Sequence, residues 1–311
     1  MTSRRHVFGP VPSRRLGRSL GVDLIPYKTC SFDCTYCQLG RTTNLTATRG
    51  EFVPTGQVIR ELEETLKQSA PPDYITLSGS GEPTLHSGFG AVVDAVRKIT
   101  DTPVAILTNS SLMTDPEVRR DCAKADLVVP SLDVADREMF ACVNRPHGDV
   151  DFDEMVEGLV EFRAMFKGRM WLEILLLYGI TGIPPYVRRI LPLVERIRPD
   201  RVQINTAVRP PAESTVRPVP SEDLRELAAL FTPPAEVIAH FRGAEEEHEF
   251  AAHREDILAM LRRRPCTLDD VVSGLGIHRN EAIKYLDELQ RDGRIRSEPR
   301  GGAVYYAAPA A

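Results

Sequence analysis

Six short apolar runs, separated by stretches of helical periodicity, restrict what this 311-residue chain can fold into more than any other feature. They are residues 20–25 (LGVDLI), 74–77 (YITL), 104–110 (VAILTNS), 127–133 (LVVPSLD), 171–177 (WLEILLL) and 201–205 (RVQIN). Between the first two, Val58, Leu62 and Leu66 recur at i, i+4 and i+8, which predicts a helix beginning near Thr55. Helices are likewise expected over 89–99, after Asp115, over 152–166 and over 184–197. Near-continuous apolar strands alternating with helices read as a parallel sheet buried on both faces. Repeated right-handed crossovers close such a sheet into a barrel or partial barrel, whose chemistry gathers at the C-terminal ends of the strands.

The first of those ends runs into KTCSFDCTYCQLG, which places Cys30, Cys34 and Cys37 in a CxxxCxxC pattern. Thiolate sulfur is a soft ligand that selects zinc, copper(I) or an iron–sulfur cluster. A structural zinc site wants four ligands, commonly as CxxC pairs from two loops. Here one loop supplies three, with no obvious fourth. A cubane on three cysteines leaves one iron without a protein ligand, free to hold a substrate or cofactor, so an open [4Fe-4S] cluster is the reading preferred over zinc or a buried or disulfide-forming trio. The remaining cysteines, Cys122, Cys142 and Cys266, are scattered, as expected of free thiols in a reducing compartment.

This loop, with Tyr36 before its last cysteine, resembles the signature of the radical S-adenosylmethionine (radical SAM) superfamily. The resemblance implies an α/β fold, a partial (β/α)6 TIM-like barrel, with a [4Fe-4S] cluster on Cys30, Cys34 and Cys37 and S-adenosylmethionine (SAM) as cofactors. It implies an oxidoreductase-type reaction in which the reduced cluster cleaves SAM to methionine and a 5′-deoxyadenosyl radical, which abstracts hydrogen from substrate. Gly79-Ser80-Gly81-Glu82-Pro83 is similar to the superfamily's GGEP motif, which binds the methionyl end of SAM; Ser80 stands where glycine is common. Asn109, Ser131 and Asp133 fall at the same rim and by resemblance also serve SAM. Glu173 lies inside a buried strand and must point inward to a partner: SAM ribose, substrate or an arginine within the barrel. The loop Asn144-Arg145-Pro146-His147 is a candidate to meet substrate.

Residues 9–24 (GPVPSRRLGRSLGVDL), the cluster loop, SGSGEPTL and VQINT together resemble a radical SAM group related to the wyosine-forming tRNA enzymes. Those enzymes carry a second cluster on additional N-terminal cysteines, and none precedes Cys30. The expectation is therefore action on RNA rather than wyosine formation itself. Arg4, Arg5, Arg14, Arg15 and Arg18 all precede the first acid, Asp23, and read either as a phosphate-binding rim or as a solvated arm.

The length suits a domain of about 200–250 residues plus a small module. A Pro-rich stretch from 210 to 220, an amphipathic helix over 221–230 and the acidic run at 245–247 mark a junction, giving expected domains 1–245 and 246–311. Beyond it come three short helices and a hairpin around Gly301 and Gly302, with a turn at Gly276 and a capping box of Thr267 with Asp270. This resembles a winged helix. Residues 254–311 hold ten Lys and Arg against nine Asp and Glu, well short of a basic footprint, yet Arg279, Lys284, Arg291, Arg294, Arg296 and Arg300 concentrate on the third helix and wing.

The net charge of −5 gives no global pull towards nucleic acid, and no apolar run is long enough to span a bilayer. A cytoplasmic protein with no membrane partner follows. Its expected partners are SAM, an electron donor such as flavodoxin or ferredoxin, and an RNA or protein substrate docked by the winged helix. Three functions fit: an RNA-modifying enzyme, an activase or modifier of a protein, and an iron–sulfur redox-sensing DNA-binding regulator.

Overall fold

The computed structural model describes residues 6–13, 15–68, 71–208, 211–239, 251–263, 265–275, 277–300 and 303–308. Arg4, Arg5, Arg14, the acidic run at 245–247, the 245/246 boundary, Gly276, Gly301 and Gly302 lie outside them.

The chain opens with an antiparallel hairpin of β1 (Val7–Ser13) and β2 (Gly17–Val22), followed by a short parallel pair, β3 (Thr29–Cys30) and β4 (Asn44–Leu45). Alternation then sets in: α1 (Thr55–Gln68), β5 (Tyr74–Leu77), α2 (Phe89–Ile99), β6 (Val104–Thr108), α3 (Pro116–Cys122) and β7 (Leu127–Pro130). A short α4 (Arg137–Met139) runs on into a π-helical turn, Phe140–Asn144, before α5 (Phe152–Met165), β8 (Arg169–Leu176), α6 (Pro184–Ile197) and β9 (Arg201–Thr206). After α7 (Ser221–Ala228), β10 (Glu236–Val237) ends the sheet, whose order is β1-β2-β5-β6-β7-β8-β9-β10, parallel from β2 onward. Leu77, Ile106, Val128 and Ile174 on successive strands are essentially inaccessible, which is why the strands are apolar on consecutive residues.

All six expected runs contain strands, and the helices start where the periodicity and Asp115 cap place them. Neither the short β3–β4 pair nor two strands of the main sheet were foreseen. β1 is rich in Pro and Gly, a composition that reads as loop but is tolerated at a sheet edge; β10, at the other edge, has two residues. The first expected run, 20–25, leaves the ladder after Val22, because Asp23 turns its carboxylate to accept the Ile25 amide at 3.3 Å.

The C-terminal segment builds α8 (Ala251–Arg263), β11 (Cys266–Thr267), α9 (Leu268–Leu275), α10 (Arg279–Arg291), β12 (Arg296–Arg300) and β13 (Ala303–Ala307), with sheet order β11-β13-β12. It has its own core around Ile257, Leu261, Leu286, Leu289 and Tyr306. The capping box forms reciprocally: the Thr267 amide donates to Asp270 Oδ2 at 2.8 Å and the Asp270 amide to Thr267 Oγ1 at 3.2 Å. α10 packs against β1, so the last helix of the chain meets its first strand.

Candidate active site

The cluster loop leaves β3 at Cys30 and folds over the C-terminal ends of the strands. All six cysteines are free thiols. Each sulfur of the loop is met by a nitrogen from a different part of the structure: Lys28 Nζ lies 3.2 Å from Cys37 Sγ, Asn109 Nδ2 3.5 Å from Cys30 Sγ, and Asn144 Nδ2 3.7 Å from Cys34 Sγ. Burial pushes the Cys30 thiol up to about 12 and Cys34 well above its ordinary value. Buried thiols that resist ionisation alone are deprotonated outright by a coordinated metal, so soft sulfur with surrounding N–H donors fits an iron–sulfur cluster. Among the described residues no three His, Cys, Asp or Glu side chains are grouped to hold a single metal ion.

The GSGEP loop is fastened to this one. Asp23, just past β2, accepts from the Ser80 amide at 3.0 Å and the Ser80 hydroxyl at 2.5 Å, and the Lys28 amide donates to the Ser80 carbonyl at 2.8 Å. A Cβ on Gly79 would stand 2.2 Å from Asp23 Oδ1, and one on Gly81 1.7 Å from the Thr29 carbonyl oxygen, so both positions require glycine for close approach. Glu82 is 2 % exposed and caps the 3-10 turn Pro83–Leu85. Its carboxylate takes hydrogen bonds from Thr84 N (3.0 Å), Thr84 Oγ1 (2.6 Å), Thr108 Oγ1 (2.7 Å) and the Asn109 amide (2.7 Å). Burial raises its pKa, against these bonds. Glu82 thus ties the end of β5 to the end of β6.

A cavity of ≈ 390 Å³ opens between the strand ends, the cluster loop and α10. Cys30, Cys37 and Tyr36 line it from the loop, Gly79, Gly81 and Glu82 from the GSGEP segment, and Asn109, Ser131 and Glu173 from later strand ends. Cys34, Ser80, Pro83 and Asp133 lie behind this lining. Asp133 accepts from the Tyr36 hydroxyl, from Asn144 Nδ2 at 2.9 Å and from the Leu175 amide at 2.9 Å, and burial pushes its carboxyl up to about 6. It buttresses the loop from beneath. The amide nitrogen of Asn109 is directed to Cys30 and to Ser31 Oγ, 2.9 Å away.

Of the partners open to Glu173, the structure supplies the arginine. Arg15 Nη2 lies 2.8 Å from Glu173 Oε2, and Asn205 Nδ2 donates to Oε1 at 2.9 Å. Arg15 is therefore an interior cation rather than part of a phosphate-binding rim. His147 is a half-buried loop residue whose amide donates to the Ser31 carbonyl at 2.8 Å. Sequence reasoning passed over Asp23 and Lys28 as site residues and gave Arg15 a different role, in a phosphate-binding rim or a solvated arm. Asp23 and Lys28 flank the cluster loop in sequence, but their partners are known only once the chain has folded.

The C-terminal unit sits on this site. The His278 ring stacks on Phe8 at 4.2 Å and 5° between planes, and its Nε2 lies 3.3 Å from Asp23 Oδ2. The Arg279 guanidinium lies 4.2 Å from the centre of the Tyr27 ring. Asn280, Lys284, Asp287, Glu288 and Arg291 of α10 complete the cavity wall.

Comparison with known proteins agrees with this geometry. GTPase Obg of Brachyspira hyodysenteriae is 37 % identical over 306 residues, a match that takes in 97 % of this chain but 45 % of that protein, so the chain spans under half of its length. UPF0026 protein MJ1312 of Methanocaldococcus jannaschii is 34 % identical over 308 residues, covering 96 % of this chain and 94 % of that one. Among solved structures, that of TYW1 with a lysine-pyruvate adduct bound superposes with a TM-score of 0.54 at 14 % identity, over 70 % of this chain and 74 % of that one, a likeness of fold. The sequence model of the radical SAM superfamily matches residues 24–184, from the end of the first apolar run through the cluster loop to the start of α6. The chain belongs to the radical SAM superfamily, and within it to the UPF0026 proteins.

Proposed function

We propose that the chain is a radical SAM enzyme in which Cys30, Cys34 and Cys37 hold a [4Fe-4S] cluster and the neighbouring cavity holds SAM. One observation carries the reading: three sulfurs on one loop, each met by an N–H donor from a different element, beside a cavity lined by Gly79, Gly81 and Glu82. When bound, the reduced cluster supplies the electron that cleaves SAM to methionine and a 5′-deoxyadenosyl radical, which takes hydrogen from substrate. The chain's own residues do the rest. Gly79 and Gly81 bring bare main chain to the cavity, Ser80 and Pro83 shape that turn, and Glu82 holds the two strand ends in register. Tyr36, Ser131 and Glu173 offer hydroxyl and carboxylate partners at the wall, with Asn109 and Asp133 orienting the loop. A low-potential donor such as flavodoxin or ferredoxin in the cytoplasm would feed the electron; no helix among the described residues is long and apolar enough to cross a membrane.

The test is anaerobic reconstitution with iron and sulfide, followed by reduction with SAM. The iron–sulfur absorbance and formation of 5′-deoxyadenosine are expected, and Cys34→Ala should abolish both. Retained absorbance in Cys34→Ala would refute the ligand assignment.

We read the C-terminal unit as a winged helix. A nucleic-acid-binding winged helix presents its third helix to the groove, whereas Arg279 here stacks on Tyr27 and Lys284 and Arg291 face the cavity. Both the DNA-binding regulator and RNA docking through this helix need it turned outward.

A further inference from the structure

α10 has two covered faces. Ala282, Leu286 and Leu289 are buried in the C-terminal unit, while Asn280, Lys284, Asp287, Glu288 and Arg291, spaced as one helical face, line the cavity that also holds Cys30 and Cys37. The helix is fixed in this orientation at its start, by His278 on Phe8 and Asp23 and by Arg279 on Tyr27. Resting on the radical SAM reading of this chamber, we infer that α10 is its substrate-facing wall and that the substrate is a small zwitterion of amino-acid or dipeptide size, its carboxylate met by Lys284 and Arg291 and its ammonium by Asp287 and Glu288.

Size and charge both lead there. The cavity, at ≈ 390 Å³, lies near the low end of the roughly 300–1,000 Å³ typical of sites for drug-sized ligands. SAM is itself a ligand of that class and would fill most of this volume, so whatever joins it at the α10 wall is small, of amino-acid size rather than a duplex. The wall carries both signs within two helical turns, with Asp287 and Arg291 3.8 Å apart. Burial holds the Glu288 carboxyl above its ordinary value even with Arg254 and Arg291 close enough to pull it down. A partly desolvated array carrying both signs is complementary to a ligand bearing both charges at similar spacing, and a ligand with one charge complements half of it.

The experiment uses the full chain without its cluster, so that binding is read apart from radical chemistry. Thermal midpoints and calorimetric titrations are recorded with free amino acids and dipeptides. The N-acetylated and amidated forms serve as one-charge controls, and total tRNA is the nucleic-acid arm. At least one zwitterion is expected to bind, its one-charge forms at least tenfold more weakly, and Lys284→Met/Arg291→Met should remove the binding. If that variant fails to fold by circular dichroism, Asp287→Asn/Glu288→Gln reads the other half of the wall and should weaken the same compound at least tenfold. Absence of zwitterion binding, binding that survives both variants, or tRNA binding that the same substitutions weaken would each overturn the inference. Reconstitution absorbance judges the cluster separately: zwitterion binding without chromophore sinks the radical SAM reading alone, and chromophore without zwitterion binding sinks this inference alone.

Discussion

Replacing Gly81 by alanine tests whether the GSGEP loop and the cluster loop are one mechanical unit. A Cβ there would stand 1.7 Å from the Thr29 carbonyl oxygen, 2.8 Å from the Thr29 carbonyl carbon and 2.8 Å from Ile25 Cγ2. Ordinary contact begins near 3.4 Å, so Thr29 would have to retreat by roughly 1.7 Å, the gap that overpacking must open. Thr29 is backbone in β3 and the residue before Cys30, so the displacement passes directly to the first sulfur. Overpacking typically costs about 1–3 kcal/mol, and a rigid main-chain neighbour puts this site at the upper end, about 3 kcal/mol. At about 2–4 °C per kcal/mol for a domain of this size, the thermal midpoint should fall by roughly 6–12 °C. Reconstituted protein should also take up less iron–sulfur chromophore per chain. Gly148→Ala is the control, since its Cβ meets nothing within 4 Å; it should stay within about 0.5 kcal/mol of the parent. A Gly81→Ala midpoint equal to that of Gly148→Ala, with full chromophore, would refute the coupling.

Further outcomes follow from the same geometry. Lys28→Met or Asn144→Leu removes an N–H donor from a cluster sulfur, so the midpoint potential, read by redox titration with electron paramagnetic resonance, should drop. A shift of about 59 mV would be a tenfold change in the one-electron equilibrium. Arg15→Met leaves Glu173 without its cation in a largely buried setting and should cost about 3 kcal/mol by urea unfolding, most of it recovered in Arg15→Met/Glu173→Gln. Asp133, pushed up to about 6 by burial, favours its protonated form in the folded state. The stability this confers is full below the unfolded value near 3.9 and is lost as pH rises through 6. Urea midpoints of the cluster-free protein should therefore fall across that window, by up to about 3 kcal/mol, and Asp133→Asn should flatten the slope.

Much of the barrel was legible because its strands are buried on both faces, so Tyr74–Leu77 and Leu127–Pro130 are written as continuous apolar runs. The cysteine loop was legible because its chemistry lies within eight residues. What escaped were pairings that only folding creates. Asp23 meets Ser80 across 57 positions and His278 across far more, and Arg15, between β1 and β2, reaches Glu173 of β8. The inward turn of α10 escaped for a different reason: a polar helix face reads identically whether it fronts solvent or an internal chamber. By composition the segment fell short of a basic footprint, and only the folded chain places Lys284 and Arg291 of α10 at the cavity wall.

The order of elements along the chain has a consequence for biosynthesis. Cys37 is made 254 residues before Arg291, the last contributor to the chamber wall. At about 5–20 residues per second, the cluster loop is translated roughly 13–50 s before α10 exists to cover it. On the proposed reading, iron and sulfide would have that interval of free access on the ribosome. Once α10 docks on β1, access to Cys30 and Cys37 runs through the cavity that the helix covers.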